Sequence, residues 1–232
     1  MTLEYAVFEA INGFAAVSAE RDKFFVFLSR SQVLKGLVPA VIFWMLWFAP
    51  IANIREVRIK IIAINFATVF GIFAGRILAQ ILPFRDRPIF HALSDVTIQH
   101  PFHLARPHLE WASSMPSDHA TMFFALATGM FFLNRKIGLF LFVHAVMVIS
   151  VPRIYLALHW PNDILAGALV GIIITLLSIH PLCRLLDRSG LADWVFARER
   201  LLYVLAFLAT YGIATMYGNF WRLAKYVIQT IT

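Results

Sequence analysis

The chain has 232 residues, of which 60% are hydrophobic and only 14% are charged, and its formal net charge is +7. Soluble domains carry about a quarter charged residues. This composition, with a mean hydropathy of +0.76, therefore excludes an ordinary soluble protein. It favours one membrane domain over residues 1–232. Basic residues lie mostly between apolar runs, which favours anionic headgroups or a phosphorylated substrate over nucleic acid. The single cysteine, Cys183, excludes an intramolecular disulfide.

Taken in chain order, the apolar runs predict an all-α bundle of six transmembrane helices. Residues 3–16 are too short to cross a bilayer and predict an interfacial helix, within a segment 1–30 of helix and loop. The third predicted span is short, which is acceptable where a helix begins in a polar pocket rather than in lipid. The predicted spans cover roughly residues 37–52, 61–82, 118–133, 137–151, 161–180 and 201–217.

Two segments between these spans are polar. Residues 83–117 are rich in Pro, His and Arg, and residues 183–200 carry a run of charges. With six spans, the first segment and the turn at residues 153–163 lie on one membrane face, and the charged second segment lies on the other. Polar chemistry is therefore predicted at one face, whereas a transporter or channel would carry polar residues along its spans.

Three short motifs meet on that face and are typical of an anion site. Arg87 and Arg153 offer planar donor forks that match phosphate oxygens. Ser117 occupies a helix N-cap position, where free N–H groups bind anions. The motifs are Arg85-Asp86-Arg87-Pro88, Pro116-Ser117-Asp118-His119, and Arg153 with His159-Trp160-Pro161-Asn162-Asp163.

Two histidines complete the set. Asp163 lies four residues after His159 and is placed to accept from one ring nitrogen, which leaves the other nitrogen as a nucleophile. His119 is placed to protonate the leaving oxygen. These residues predict a metal-free phosphoryl-transfer site without a cofactor, because arginines spread the charge of the transition state in this chemistry.

The motifs resemble the three-part signature of the type 2 phosphatidic acid phosphatase superfamily, which also includes the vanadium haloperoxidases. That signature reads Lys-x6-Arg-Pro, then Pro-Ser-Gly-His, then Ser-Arg-x5-His-x3-Asp. The membrane spans favour the phosphatases over the haloperoxidases. The resemblance implies a lipid phosphatase in which a phosphohistidine forms on the nucleophile. The matching residues are Arg87, Pro88, Pro116, Ser117, His119, Arg153, His159 and Asp163.

One departure removes a positive charge from the signature. Gln80 stands where the family lysine would be. Arg76, Arg85 and Arg106 are the candidate replacements, although the last two are also typical of solvated or lipid-facing positions. The predicted phosphate-binding set is Arg87, Arg153, Ser117, Asp118, Arg85, Arg76 and Gln80.

Two further departures are Asp118 for the signature glycine and Pro152 for the serine. The Pro-Ser-Asp-His form, the motif at residues 134–138 and the short amphipathic start are similar to the bacitracin-resistance type of undecaprenyl-diphosphate phosphatase. This resemblance implies hydrolysis of undecaprenyl diphosphate in the bacterial cytoplasmic membrane, with the site facing the periplasm or exterior. Asp118 either caps the helix start, where negative charge is favourable, or orients an arginine.

Several alternatives stay open at this point. Phosphatidate, phosphatidylglycerophosphate or lipid A could replace the polyprenyl diphosphate as substrate, or phosphate could be transferred to another lipid. Membrane lipids are expected partners, the oligomeric state is not predicted, and basic residues on both faces leave orientation to the resemblance. Two histidines in the spans, His144 and His180, are interpreted as packed residues. No ligand pair shows a firm zinc spacing among His91, His100, His103 and His108.

Overall fold

The structure is a computed structural model of the chain, and it describes residues 2–90, 98–99, 112–217 and Tyr226. Within these ranges the chain forms helices and turns, with no β-strand. The all-α prediction is confirmed for this part of the chain. The predicted active-site loop, residues 83–117, is described only at its two ends and at residues 98–99. Arg106 and the four loop histidines (His91, His100, His103 and His108) therefore lie outside the described residues.

The described ranges contain ten α-helices and two π-helical turns. The first π turn, Val33–Leu37, separates α2 from α3, and the second, Ala145–Ser150, separates α6 from α7. Turns of this kind occur frequently at functional sites. The helices are α1 (Leu3–Asn12), α2 (Ala19–Arg30), α3 (Val38–Trp47), α4 (Ile54–Ile81), α5 (Asp118–Leu133), α6 (Arg135–His144), α7 (Val151–Tyr155), α8 (Pro161–Arg188), α9 (Leu191–Phe196) and α10 (Glu199–Ala214).

Three helical segments of the described chain are long and apolar enough to cross a membrane: α4, α8 and the continuous unit Arg135–Tyr155. A fourth crossing arises if α2 and the segment Val33–Trp47, which meet at a bend of 55°, form one span. The second to fifth predicted spans thus correspond to helices, and α5 begins at the predicted residue. Six crossings and an interfacial position for α1 stay predictions.

The centre of the bundle is formed by α4, α5 and α8, with α6 packed on α5. Large side chains such as Ile64, Met122 and Leu126 are almost completely buried there. Glycines let α8 approach the backbone of α5: a Cβ added at Gly171 would lie 2.2 Å from the carbonyl oxygen of Thr121, and one at Gly167 would lie 2.5 Å from that of Ser117. This close approach fixes the start of α5 against the start of α8.

The two ends of α8 differ in character. Its first turn lies beside α1, where the ring of Phe8 packs against Trp160 with a centroid separation of 4.8 Å. A helix of 28 residues is about 42 Å long, so its last turn lies at the opposite end of the bundle. There Arg55 at the start of α4 pairs with Asp187 and with Asp193 of α9. The chain therefore places the three motifs and the charged segment at opposite ends of the same helix.

Replacing Gly171 with alanine should lower the melting temperature in detergent, because the new methyl group forces the backbones of α5 and α8 apart. Overpacking of this kind costs about 1–3 kcal/mol. Gly71→Ala is the matched control, since its added Cβ would meet its nearest neighbour at 3.7 Å, an ordinary contact. That variant should be neutral or slightly stabilised. Equal melting temperatures for the two variants would contradict this account of the packing.

Candidate active site

His159 lies in the turn between α7 and α8, and the local sequence explains its position. The carbonyl of Arg153 accepts from the backbone N–H of Leu158 at 2.8 Å, which closes the end of α7. Pro161 then begins α8 with its φ angle already suited to a helix. His159 is therefore held immediately before a helix N-terminus, and its side chain is buried.

The hydrogen bonds of the His159 ring assign its two nitrogens. Nδ1 lies 2.9 Å from the carbonyl oxygen of Ser114. A carbonyl oxygen only accepts, so Nδ1 carries the proton and Nε2 keeps its lone pair. Nε2 lies 3.0 Å from Nη1 of Arg87, which donates to it. The nitrogen that is free to attack phosphorus therefore faces an arginine.

Asp163 stands beside this ring, but it is not the nearest acceptor. Its Oδ2 lies 3.6 Å from Nδ1 of His159 and accepts from the backbone N–H of Trp160 at 2.8 Å. The sequence predicted a direct bond from the ring to Asp163. In the structure the Ser114 carbonyl fills that role, while Asp163 holds the turn and places a negative charge near Nδ1. Ser114 is absent from the prediction because a backbone carbonyl leaves no signature in the sequence.

Arg87 is the arginine that faces His159. Its Nη1 also donates to the carbonyl of Leu158 at 3.0 Å. Its Nε is buried and has no hydrogen-bond partner among the described residues. Burial lowers the pKa of Arg87, and the carboxylates of Asp163 and Asp118 oppose that effect. A buried N–H without a partner is costly, and a phosphate oxygen is the acceptor that an arginine fork fits best.

Arg153 supplies a second buried guanidinium from α7. Its Nη1 donates to the carbonyl of Ile149, in the second π turn, at 2.9 Å. The charges of Arg153 and Arg87 are close enough to repel each other. Two buried like charges are unfavourable together unless an anion lies between them.

The start of α5 brings His119 to the same place. Ser117 is the N-cap of this helix: its Oγ accepts from the N–H of Ala120 at 3.5 Å, and its own N–H donates to the carbonyl of Asp163 at 3.0 Å. His119 lies in the first turn, within electrostatic range of His159, Arg87 and Arg153. Both predicted histidines and both signature arginines are thus brought together at one end of the bundle.

Arg85 pairs with two carboxylates beside the site. Its Nη2 lies 2.8 Å from both carboxylate oxygens of Glu4, and its Nη1 lies 3.0 Å from Oδ1 of Asp163. Both ends of the guanidinium fork are therefore occupied by carboxylates. A contact from Arg85 to phosphate, as the replacement for the missing lysine, stays a prediction. Its partner on α1 is far away in the sequence, so the motif gave no sign of this pairing.

The three remaining phosphate-binding candidates are Arg76, Asp118 and Gln80. Nε of Arg76 lies 3.4 Å from Oδ2 of Asp118, which favours the second of the two roles considered for that carboxylate, the orientation of an arginine. The pair also draws the negative charge of Asp118 toward α4. Gln80 is exposed near the end of α4, so a contact from Gln80 to phosphate stays a prediction.

The surroundings of His159 favour its neutral form. Burial lowers the pKa of its imidazole, the Asp163 carboxylate raises it, and the charges of Arg87 and Arg153 lower it again, with a net shift below the ordinary value of 6.5. A neutral imidazole is the form that can attack as a nucleophile. The site therefore keeps His159 competent at neutral pH.

The sequence pattern of the family described as the PAP2 superfamily matches residues 60–185, more than half of the chain. The chain belongs to the PAP2 superfamily. The sequence-based assignment to this phosphatase superfamily is confirmed, and the protein is a phosphate-ester hydrolase of the lipid phosphatase kind.

Two curated relatives cover most of the chain. It is 29% identical over 175 residues to undecaprenyl-diphosphatase BcrC of Bacillus subtilis (strain 168), across 74% of this chain and 80% of that protein. It is 26% identical over 171 residues to putative undecaprenyl-diphosphatase YbjG of Escherichia coli (strain K12), across 74% and 78%. Among solved structures, the crystal structure of Aquifex aeolicus LpxE is 28% identical and covers 78% of this chain and 96% of its own, with a TM-score of 0.49.

NMR of the unliganded protein labelled at histidine nitrogen and carbon should find His159 protonated on Nδ1. Its titration midpoint should lie below pH 6.5, because burial and two guanidinium charges disfavour the imidazolium. The His159→Asn variant assigns the signal by its disappearance. A midpoint at or above pH 6.5, or a proton on Nε2, would contradict the proposed assignment of the nucleophile.

Proposed function

We propose that this protein hydrolyses undecaprenyl diphosphate to undecaprenyl phosphate, with His159 as nucleophile and His119 as general acid. The observation that carries the proposal is the unprotonated Nε2 of His159, 3.0 Å from Arg87 and within range of a second arginine and a second histidine. This arrangement supplies a nucleophile, an acid and two phosphate ligands without a metal ion or cofactor.

The first chemical step transfers the terminal phosphoryl group to the protein. Nε2 of His159 attacks the terminal phosphorus, the bond from phosphorus to the bridging oxygen breaks, and His119 gives its proton to that oxygen. Arg87 and Arg153 bind the non-bridging oxygens. Because Arg87 donates to Nε2, a phosphate oxygen must first take over that N–H and release the lone pair.

The second step returns the protein to its starting state. His119, now without its proton, accepts one from a water molecule as that water attacks the phosphorus of phosphohistidine. The bond from phosphorus to Nε2 breaks, and inorganic phosphate leaves. The bond from Nδ1 to the Ser114 carbonyl keeps the ring in one orientation through both steps.

A large apolar cavity supports a substrate with a long hydrocarbon tail. It has a volume of about 760 Å³ and lies between α3, α4, α9 and α10. Arg76, whose partner Asp118 precedes His119, lies at one end, and Trp47 and Trp194 lie at the other. We assign the polyprenyl tail to this cavity, with its diphosphate at the Arg76 end.

The choice of headgroup rests on the motifs and on the relatives. Pro-Ser-Asp-His and His-Trp-Pro-Asn-Asp are similar to the bacitracin-resistance type, and both curated relatives carry the name undecaprenyl-diphosphatase. We extend that substrate to this chain. By the same argument we place the protein in the bacterial cytoplasmic membrane as a single domain, with the site facing the periplasm or exterior.

Purified protein should release phosphate from undecaprenyl diphosphate faster than from phosphatidate, phosphatidylglycerophosphate or lipid A. His159→Ala should reduce kcat by roughly 10⁴-fold or more, because the nucleophile is lost, and His119→Asn by about 10²–10⁴-fold. His180→Ala, at an exposed position away from the site, is the matched control and should keep full activity. Undiminished turnover by folded His159→Ala would remove the mechanism, and a preference for another lipid would replace the substrate.

Filling the cavity should discriminate between long and short tails. Ala209→Trp places a large ring among the cavity-lining residues of α10. The KM for undecaprenyl diphosphate should then rise about tenfold or more, because one lost apolar contact is worth about 1–3 kcal/mol. The KM for a short prenyl diphosphate should change little. Val204→Trp, exposed on the same helix, is the control. If the two variants behave alike, the tail lies elsewhere.

A further inference from the structure

One buried cation close to the site has no part in the mechanism described above. Lys35 lies in the first π turn, between α2 and α3, and its side chain is buried. Its Nζ donates to the carbonyl of Ser29 at 2.7 Å. The Lys35 ammonium is within electrostatic range of Arg153 and of His119. The lysine belongs to none of the three motifs, so the sequence gave no reason to place it here.

The π turn that carries Lys35 is held on two sides. The carbonyl of Leu34 lies 2.7 Å from Nε2 of His144 and accepts from it. Gly36 lies so close to α10 that an added Cβ would be 2.3 Å from Cα of Ala214. The two π turns also contact each other, and the second leads directly into α7 and Arg153. Lys35 and Arg153 are thus held near each other by the packing of adjacent π turns.

Three buried cations, Lys35, Arg87 and Arg153, form a cluster of positive charge at the site. Lys35 is 5% exposed, Arg87 9% and Arg153 3%. Within the described residues, none of these three side chains forms a salt bridge with a carboxylate. Asp163 and Asp118 act on Arg87 without forming a salt bridge to it, so the three buried positive charges still repel each other. An anion with several negative charges is a ligand that relieves this repulsion. A diphosphate fits that requirement better than a single phosphate.

The position of Lys35 within the cluster indicates which phosphate it meets. Lys35 is one of the charged groups that act on His119, the proposed proton donor to the leaving group. The two packed π turns also hold Lys35 near Arg153. Its ammonium is therefore in range of the phosphate that leaves toward His119. An ammonium has three donors, so Nζ can keep its bond to Ser29 and still bind an oxygen.

We propose that Lys35 binds the lipid-side phosphate of a diphosphate substrate, the group that departs with the lipid, and so makes the site selective for diphosphates over monophosphates. This inference rests on the proposed phosphatase function, and it attributes the preference for diphosphate substrates to one residue. The positive charge comes from the first π turn, outside the signature motifs.

The kinetic test compares two substrates that share one tail, a prenyl diphosphate and the corresponding prenyl monophosphate. Lys35→Met should reduce kcat/KM for the diphosphate about 10- to 100-fold, as expected for loss of a hydrogen bond to a charged group, and should change that for the monophosphate less than about threefold. Lys35→Arg should restore most of the diphosphate activity. Lys136→Met, at an exposed position, is the matched control. Equal losses on both substrates, or no loss on the diphosphate, would overturn the proposal.

A binding measurement separates this inference from the proposed function. In the His159→Ala background, where turnover is blocked, inorganic diphosphate should raise the melting temperature more than inorganic phosphate does, and Lys35→Met should remove the difference. Lys35→Gln, which keeps a donor for the Ser29 carbonyl, gives a second neutral variant if the methionine variant folds poorly. An unchanged diphosphate preference in folded neutral variants contradicts the role of Lys35. If the neutral variants lose the preference but the native protein hydrolyses no prenyl diphosphate, the role of Lys35 in binding stands and only the proposed reaction is rejected.

Discussion

The hydrogen bond from Nδ1 of His159 to the carbonyl of Ser114 determines which nitrogen of the ring can act. It depends on the packing of α5 against α8, because the short segment that carries Ser114 continues into the N-cap residue Ser117, whose N–H donates to the carbonyl of Asp163. Gly167 permits this approach, since any side chain there would meet the carbonyl of Ser117. A rigid helix contact in the centre of the bundle therefore fixes the orientation of the His159 ring, so that the ring itself needs little reorganisation in the proposed mechanism.

Three carboxylates near the site, those of Glu4, Asp118 and Asp163, pair with arginines that are not phosphate ligands in the proposed mechanism. Asp163 and Glu4 share Arg85, and Asp118 pairs with Arg76. The carboxylate charges are thereby paired at the edge of the site, while the positive charges of Lys35, Arg87 and Arg153 remain available to an anion. For Asp118, the ion pair with Arg76 offsets part of the repulsion that a carboxylate would exert on a phosphate bound at this site.

Sequence patterns predicted those parts of the site that are local in the chain. The start of α5 followed from the cap residue Ser117, and the position of His159 followed from Pro161 at the first turn of α8. Three features were not predictable in this way. The Ser114 carbonyl belongs to the backbone. The Arg85–Glu4 pair joins residues that are 81 positions apart in the sequence. Lys35 lies close to the bend between two helices, where polar residues are typical of a connecting loop. Each of these depends on tertiary packing rather than on residue spacing.

In the proposed function, the cation cluster binds a charged headgroup at one end of the helical bundle, and the apolar cavity holds the hydrocarbon chain along its side. The central claim is that phosphate passes through Nε2 of His159. The most direct measurement is rapid quenching of the reaction with undecaprenyl diphosphate labelled in its terminal phosphate. The account predicts label on the protein, stable to base and labile to acid, in the native chain and absent from His159→Ala. Rapid turnover by the native chain with no label on the protein at any quench time would contradict it.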